Sequence, residues 1–310
     1  MRAITLNEPD TQPAPREDLP APVPADNEVL VRVHASSVNP VDGSIAAGLL
    51  AGMGVEYEYP VTLGRDYAGT VEQTGSAVSG FTAGDRVFGF LLHANPTARD
   101  GAWAELITVT EDLSIARVPD GVDLATAGAA PLAGIAAITS IDAVTLKEGD
   151  VLLVAGATGG VGSLAVQLAA KAGATVVAPA LPEDEEFLRG LGVSEIVPRD
   201  GDVAAAVLER FPDGVDALLD LVNYAPGTYD AALKADARIA SPTGAAGEGP
   251  GRTYVMAAPT AENLGRLGAL LADGTLRIPV QATYLLAQAP KALATLTGQH
   301  TQGKLAIEVS

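Results

Sequence analysis

Between Val151 and Ala170 the chain carries no charged residue, and the run is broken by Gly156, Ala157, Thr158, Gly159, Gly160, Val161 and Gly162. Glycines let the backbone come close to a ligand, and a helix that begins among them offers unpaired N–H groups and a positive dipole end to an anion. The chemistry on offer is the cradling of a phosphate. The spacing departs from G-x-G-x-x-G at one place, since Ala157 stands where the first glycine belongs. Gly159 and Gly162 fill the other two positions, and Gly156 supplies a glycine one residue early. An apolar strand precedes the turn, a helical run follows it, and a second strand, Thr175-Val176-Val177-Ala178, comes next. Strand, glycine turn, helix and strand form the βαβ unit that binds dinucleotides. The competing reading, a turn that only packs a helix on a sheet, does not require this order of flanking elements.

The elements that must position this turn follow from the texture of the chain. From about Asp120 helix and strand alternate: a helix over 131–146, strands at 175–178, 195–197, 217–220 and 238–241, and a helix over 262–272 stopped by Gly274. This predicts an α/β protein with a Rossmann-type doubly wound parallel sheet and its ligand at the strand carboxyl ends. Residues 1 to about 118 instead read as β-rich. Strands are expected at 28–35, 66–72, 85–90 and 102–109, and an extended proline-rich loop over 13–24. Two last strands, near 278–282 and 305–309, are expected to rejoin that module. The expected division is a β-rich domain of residues 1–121 and 258–310 around a dinucleotide-binding domain of residues 122–257.

A length of 310 residues suits two such domains, and 48% hydrophobic residues supply their cores. The net charge of −19, with no basic cluster, excludes nucleic acid and anionic membrane as partners, because both require a basic footprint. The N-terminus lacks the apolar stretch of a signal peptide. The low-charge stretch 124–140 contains Pro131 and small residues, so it reads as buried or subunit-facing rather than as a membrane span. A cytoplasmic protein is expected. Without cysteine there is no disulfide and no thiolate metal site. His34, His93 and His300 are too dispersed to read as ligands, and no metal is expected.

Several segments together resemble one family. Asn39-Pro40-Val41-Asp42, Gly64-Arg65-Asp66-Tyr67-Ala68-Gly69-Thr70-Val71, Gly84-Asp85-Arg86-Val87 and Gly101-Ala102-Trp103-Ala104-Glu105 resemble the GroES-like catalytic module of the medium-chain dehydrogenase/reductase superfamily. Pro131-Leu132-Ala133-Gly134, the glycine turn and His300-Thr301-Gln302-Gly303-Lys304-Leu305 follow in that superfamily's order. The likeness is greatest to its zinc-independent, zeta-crystallin-like quinone oxidoreductases. Gly64-Arg65-Asp66 stands where zinc enzymes of this fold carry Gly-His-Glu. The resemblance implies NADPH, a homodimer, and hydride transfer to a quinone or to the conjugated C=C of an α,β-unsaturated carbonyl. Charge then develops on the distal oxygen, where hydrogen-bond donors can stabilise it without metal. Cofactor and acceptor are expected to meet in a cleft between the domains.

The resemblance also assigns residues. Asn39 and Asp42 match positions lining the nicotinamide end, although an Asn-Pro turn and a helix-capping Asp would account for them equally well. Arg65 is a candidate anchor for a carbonyl or anionic substrate, with pairing to a neighbouring carboxylate as the more ordinary role. The family often carries tyrosines shortly after Asn-x-x-Asp, but Ser44 and Leu50 stand here. Tyr59, or Tyr57 beside it, is the substitute, and ordered water is the alternative proton source. Arg199 is the candidate for the cofactor's 2′-phosphate. The acidic run Glu183-Asp184-Glu185-Glu186 after Pro182 is read as a helix first turn rather than as a ribose-binding, NAD-selecting acid. Val222 and Asn223, past the fourth strand, are placed by the ribose. Ser241, Pro242 and Thr243, past the fifth, are placed by the carboxamide. His300 and Lys304 read as structural or surface residues, and His93 as a loop residue after a strand. The rival functions are an enoyl-thioester reductase, disfavoured by the acidic balance, and a non-catalytic NADPH-binding sensor.

Overall fold

The strand Val151–Ala155 lies at the centre of a six-stranded sheet, with all four of its residues from Leu152 on buried. On one side it pairs with Thr175–Ala180 and, beyond that, Glu195–Pro198. On the other come Val215–Asp220, Leu233–Ser241 and Arg252–Tyr254. Every pairing is parallel, so the carboxyl ends of the strands share one edge. The strand order reverses beside Val151–Ala155, the switch point at which such sheets bind ligand. Leu153, Val177, Val197, Leu218 and Ile239 form its core, the near-continuous apolar strands that a sheet covered on both faces requires. The sixth strand, Arg252–Tyr254, is short and largely exposed, and carries no apolar run by which the sequence would reveal it.

The computed structural model describes residues 1–8, 11–92 and 99–310, so His93 lies outside the described residues. It divides into two units: Met1–Leu132, Ala258–Ala272 and Val280–Ser310 form one, Ala133–Ala257 and Asp273–Pro279 the other. The boundary falls at 132/133 rather than 121/122, because the helix Leu124–Ala129 packs on the β-rich unit. A Cβ at Gly128 would stand 2.7 Å from the Ala35 carbonyl oxygen, so only glycine permits that approach. Asp273–Pro279 joins the parallel-sheet unit through a two-way amide clamp. Gln167 donates to the Arg277 carbonyl at 3.0 Å and accepts from the Arg277 N–H at 3.0 Å.

In the β-rich unit the strand Glu28–Ser37 is the hub. It pairs antiparallel with Asp66–Thr74, Leu106–Thr110 and Lys304–Glu308, and the last of these pairs in parallel with Val280–Leu285. A small second sheet joins Ala14–Arg16, Ala3–Leu6 and Val61–Thr62. The expected loop over 13–24 therefore contains a short strand. It sits on a sheet edge, where Pro15 costs no ladder hydrogen bond. The expected strand over 102–109 begins as irregular chain around Trp103. That indole is fully buried and donates to the Ser37 carbonyl at 3.1 Å. Gly64, at φ +87, passes this ring so closely that a Cβ would lie 2.2 Å from Trp103 Cδ1. The turn so permitted aims Arg65 and Asp66 inward. Among the described residues no helix is long and apolar enough to cross a membrane.

Candidate functional site

In the parallel-sheet unit the chain leaves the central strand at Ala155, turns at Gly156 (φ +85) and enters the helix Gly160–Lys171 through Gly159 as N-cap. The first helix-forming contact is Ser163 N–H to the Gly159 carbonyl at 2.9 Å. The N–H groups of Gly160, Val161 and Gly162 precede it and have no acceptor within the helix.

The glycines of the turn serve different ends. A Cβ at Gly162 would meet the Gly156 oxygen at 2.1 Å and the Ala157 Cα at 2.7 Å; one at Gly156 would meet the Val222 Cγ1 at 2.7 Å. Those two allow the helix and the neighbouring strand end to close on the turn. Gly159 has an ordinary φ of −73, and a Cβ there would find only the Gly156 oxygen, at 3.5 Å. The protein itself does not require glycine at 159. A phosphate seated against the helix N-terminus does, which is the fit expected of a dinucleotide. Ala157 is buried and Thr158 partly exposed beside it.

The other predicted cofactor residues gather at the same sheet edge. Asp220 accepts from the Val222 N–H at 3.2 Å and from the Asn223 N–H and side-chain amide at 3.0 and 2.8 Å. This turn fixes Asn223 and leaves Val222 about half exposed. Ser241 Oγ accepts from the Thr243 and Ala245 N–H groups, and the Thr243 hydroxyl donates to the Asn223 carbonyl. The ends of the fourth and fifth strands, with Pro242 between Ser241 and Thr243, are thus tied together. Arg199 follows the strand Glu195–Pro198, is exposed, and hangs its backbone N–H on the Ala180 carbonyl at 3.2 Å. The acidic run forms the turn Pro182–Asp184 and the first turn of the helix Glu185–Leu191. Asp184 is buried there and accepts from the Leu181 N–H at 3.2 Å.

The candidates in the β-rich unit are closed in. Asn39 and Asp42 open the helix Pro40–Ala46, and Asp42 Oδ2 accepts from the Asn39 N–H at 2.8 Å. The Asn39 amide is spent on the protein, since it donates to Asp66 Oδ2 at 2.8 Å and accepts from Lys304 Nζ at 2.6 Å. Asp66 also accepts from Ser37 at 2.5 Å and from the Leu132 N–H at 2.7 Å, so it caps the start of the helix Pro131–Val144. Lys304 is no surface residue. It is 3% exposed, donates to the Val38 carbonyl at 3.2 Å and stands 3.5 Å from Asp66. Nor does Arg65 pair with a carboxylate among the described residues: it donates to the carbonyls of Leu92, Thr62 and Asp100 at 3.0, 3.3 and 2.6 Å. Burial pushes its pKa down, and the nearby charge of Asp42 opposes this.

Asp42 is the group most altered by its surroundings. Burial drives its carboxyl up to about 7 against the pull of Arg65, the Asn39 N–H and Lys304, and Asp66 adds to the rise. Its Oδ1 and the Arg65 Nε are buried without hydrogen-bond partners among the described residues. Tyr59 makes no hydrogen bond to this cluster among the described residues. Its ring stacks on Tyr57, centroids 6.0 Å apart, and lines a cavity of about 500 Å³ with Leu19, Thr62, Arg99 and Leu106. Sequence reasoning missed Asp66 and Lys304 as partners of Asn39, although both stand in segments it quoted.

Two family models match the chain. Residues 25–120 match the family model described as an alcohol dehydrogenase GroES-like domain, and residues 191–307 match one described as a zinc-binding dehydrogenase. A chloroplast envelope quinone oxidoreductase homolog of Arabidopsis thaliana is 30% identical over 94% of this chain and 92% of its own length. The chain belongs to the medium-chain dehydrogenase/reductase superfamily, in its quinone oxidoreductase-like branch. A mitochondrial NAD(P)H oxidoreductase of Bos taurus is 30% identical over 82% of this chain and 63% of its own length. Among solved structures, the quinone oxidoreductase of Coxiella burnetii superposes with a TM-score of 0.86 at 28% identity. That match covers 100% of this chain and 99% of the other. As a member of this branch the protein is an oxidoreductase. The zinc in the second model's description does not fit the residues present: the chain has no cysteine, and among the described residues no three His, Cys, Asp or Glu gather as ligands.

Proposed function

We propose that this oxidoreductase uses NADPH, without metal, to reduce a quinone or the conjugated C=C of an α,β-unsaturated carbonyl. The observation that carries the reading is Gly159, a glycine that the protein's own packing does not need at the mouth of a helix N-terminus. Backbone N–H groups of Gly160, Val161 and Gly162 hold the pyrophosphate. Val222 and Asn223 take the ribose and Ser241, Pro242 and Thr243 the carboxamide, on strand ends already tied to one another. Arg199 takes the 2′-phosphate. Two findings favour NADPH over NADH: a guanidinium at the end of the neighbouring strand, and the withdrawal of Asp184 into a helix cap. The Bos taurus relative, by name an NAD(P)H oxidoreductase, supports the cofactor class.

The bound dihydronicotinamide supplies the hydride. The chain's contribution is electrostatic. Buried cations, Arg65 above all, favour negative charge developing on the acceptor oxygen in a medium of low dielectric. Asp42 holds a proton near neutrality, Asn39 keeps Asp42 in place, and the Tyr59 hydroxyl is the donor offered toward the acceptor. The reading includes a homodimer and a cytoplasmic location.

The test is NADPH oxidation against a panel of quinones, enals and enoyl-CoA esters. Turnover on the first two classes is expected. Tight NADPH binding with no turnover on any acceptor would overturn the enzyme reading, and turnover on enoyl-CoA alone would move the acceptor to thioesters. A preference for NADH would remove Arg199 from its role.

A further inference from the structure

Among the described residues, four acidic or basic side chains of the β-rich unit are at most 3% exposed: Asp42, Arg65, Asp66 and Lys304. Two are acids and two are bases, and only one pair of opposite charges, Lys304 with Asp66, lies within ion-pair distance. An ammonium has three donors and no acceptor. Those of Lys304 have three oxygens within reach: Asn39 Oδ1 at 2.6 Å, the Val38 carbonyl at 3.2 Å and Asp66 Oδ2 at 3.5 Å. A buried cation so held is costly unless each donor is matched. Here the match falls on the two residues that lead into the helix of Asp42.

The bond from Lys304 also decides which way the Asn39 amide faces. With its oxygen on the ammonium, its NH2 must face Asp66, as it does at 2.8 Å. The Asn39 backbone N–H, on the same residue, donates to Asp42 Oδ2 at 2.8 Å, while Asp42 Oδ1 is left without a partner among the described residues.

We propose that Lys304 is a positioning residue for the reduction, its ammonium locking the Asn39 amide and supplying one of the positive charges that Asp42 experiences. The proposal rests on the reading of this chain as a reductase in which Asp42 works. The charged groups facing Asp42 are Arg65, Asp66 and Lys304. A cation favours the ionised carboxylate, so Lys304 opposes the upward push of burial. Removing its charge raises the pH at which Asp42 ionises; replacing lysine by arginine retains it.

The experiment follows the Asp42 carboxyl by ¹³C NMR, assigned by its loss in D42N, alongside the pH profile of kcat, in wild type, K304R and K304M. In the wild type the resonance is expected to titrate near 7. In K304M resonance and kcat profile should both move upward by roughly one pH unit, with KM for NADPH changed less than about twofold. K304R should restore most of the wild-type behaviour. If K304M does not fold, K304Q, which keeps a hydrogen-bond donor and drops the charge, carries the same test. An unmoved titration in a folded, charge-less variant overturns the proposal, as does a K304R no closer to wild type than K304M. A wild-type protein that titrates near 7 yet oxidises no NADPH overturns the reductase reading instead.

Discussion

The two candidate regions, one in each unit, are built from opposite materials. At the glycine turn the working groups are backbone N–H groups, the helix Gly160–Lys171 has no charge in its first turn, and the side chains are absent or small. Around Asn39 the working groups are side chains, four of them acidic or basic and buried, and the hydrogen bonds of Asn39 reach a residue as far along the chain as Lys304. A backbone site is held by local geometry and fails sterically. A buried polar cluster is held by mutual satisfaction and fails when one member is removed.

That contrast can be broken by substitution. The largest effect is expected at Asp66, which serves Ser37, Asn39, Leu132 and Lys304 at once. Asp66→Ala strands a buried ammonium and should cost about 3–5 kcal/mol of unfolding free energy in urea. A loss below about 1 kcal/mol would show the cluster to be no more than a set of independent contacts.

The pH response comes next. Asp42 is protonated in the folded protein up to about 7, against an ordinary value of 3.8. Folding therefore takes up a proton between these values. The stability so contributed is complete below about pH 4 and is lost as pH rises through about 7, on the order of 2–4 kcal/mol in all. Stability measured across pH 4 to 8 should fall less steeply in Asp42→Asn than in wild type; equal slopes would place the uptake elsewhere.

Smaller effects sharpen the other half. Gly162→Ala forces a methyl against the Gly156 carbonyl and should cost about 1–3 kcal/mol, with NADPH binding weakened as the turn shifts. Gly159→Ala should leave the melting temperature within about 2 °C yet weaken NADPH about tenfold in a fluorescence titration, because its methyl points where a phosphate belongs. Equal stability losses at 159 and 162 would erase the distinction between packing glycine and ligand glycine. Smallest, Arg199→Ala should weaken NADPH by roughly fivefold to tenfold and leave NADH unchanged.

The same contrast explains what could be read from the chain. The parallel sheet and the turn were legible because their determinants are contiguous: an apolar strand, glycines at fixed offsets, then a helix. The helix Leu124–Ala129 lay hidden in a low-charge stretch, and the helix Ala289–Gly298 has Gln288 at its N-cap rather than the Ser, Thr, Asp or Asn that announces one. The strands Ala14–Arg16 and Arg252–Tyr254 are too short for a period-two pattern. Asn39, Asp42 and Arg65 could be picked out as residues, but their partners could not. Nothing local marks Lys304 as buried, and the pairing that buries it, of Lys304–Glu308 with Glu28–Ser37, spans most of the sequence. Arg65 looked like half of an ion pair because carboxylates are plentiful. Its actual partners are carbonyls that no composition reveals.

The clamp between Gln167 and Arg277 has a consequence for how the molecule comes into being on the ribosome. The glycine turn and its helix are translated about a hundred residues before Arg277. A nascent chain must therefore carry that helix with the Gln167 amide unmatched until the late segment emerges. Asn39 waits longer still, for Lys304. Each part of the site is begun early and latched late, so a ribosome that stops short releases a chain with the right turn and the right acids but neither latch.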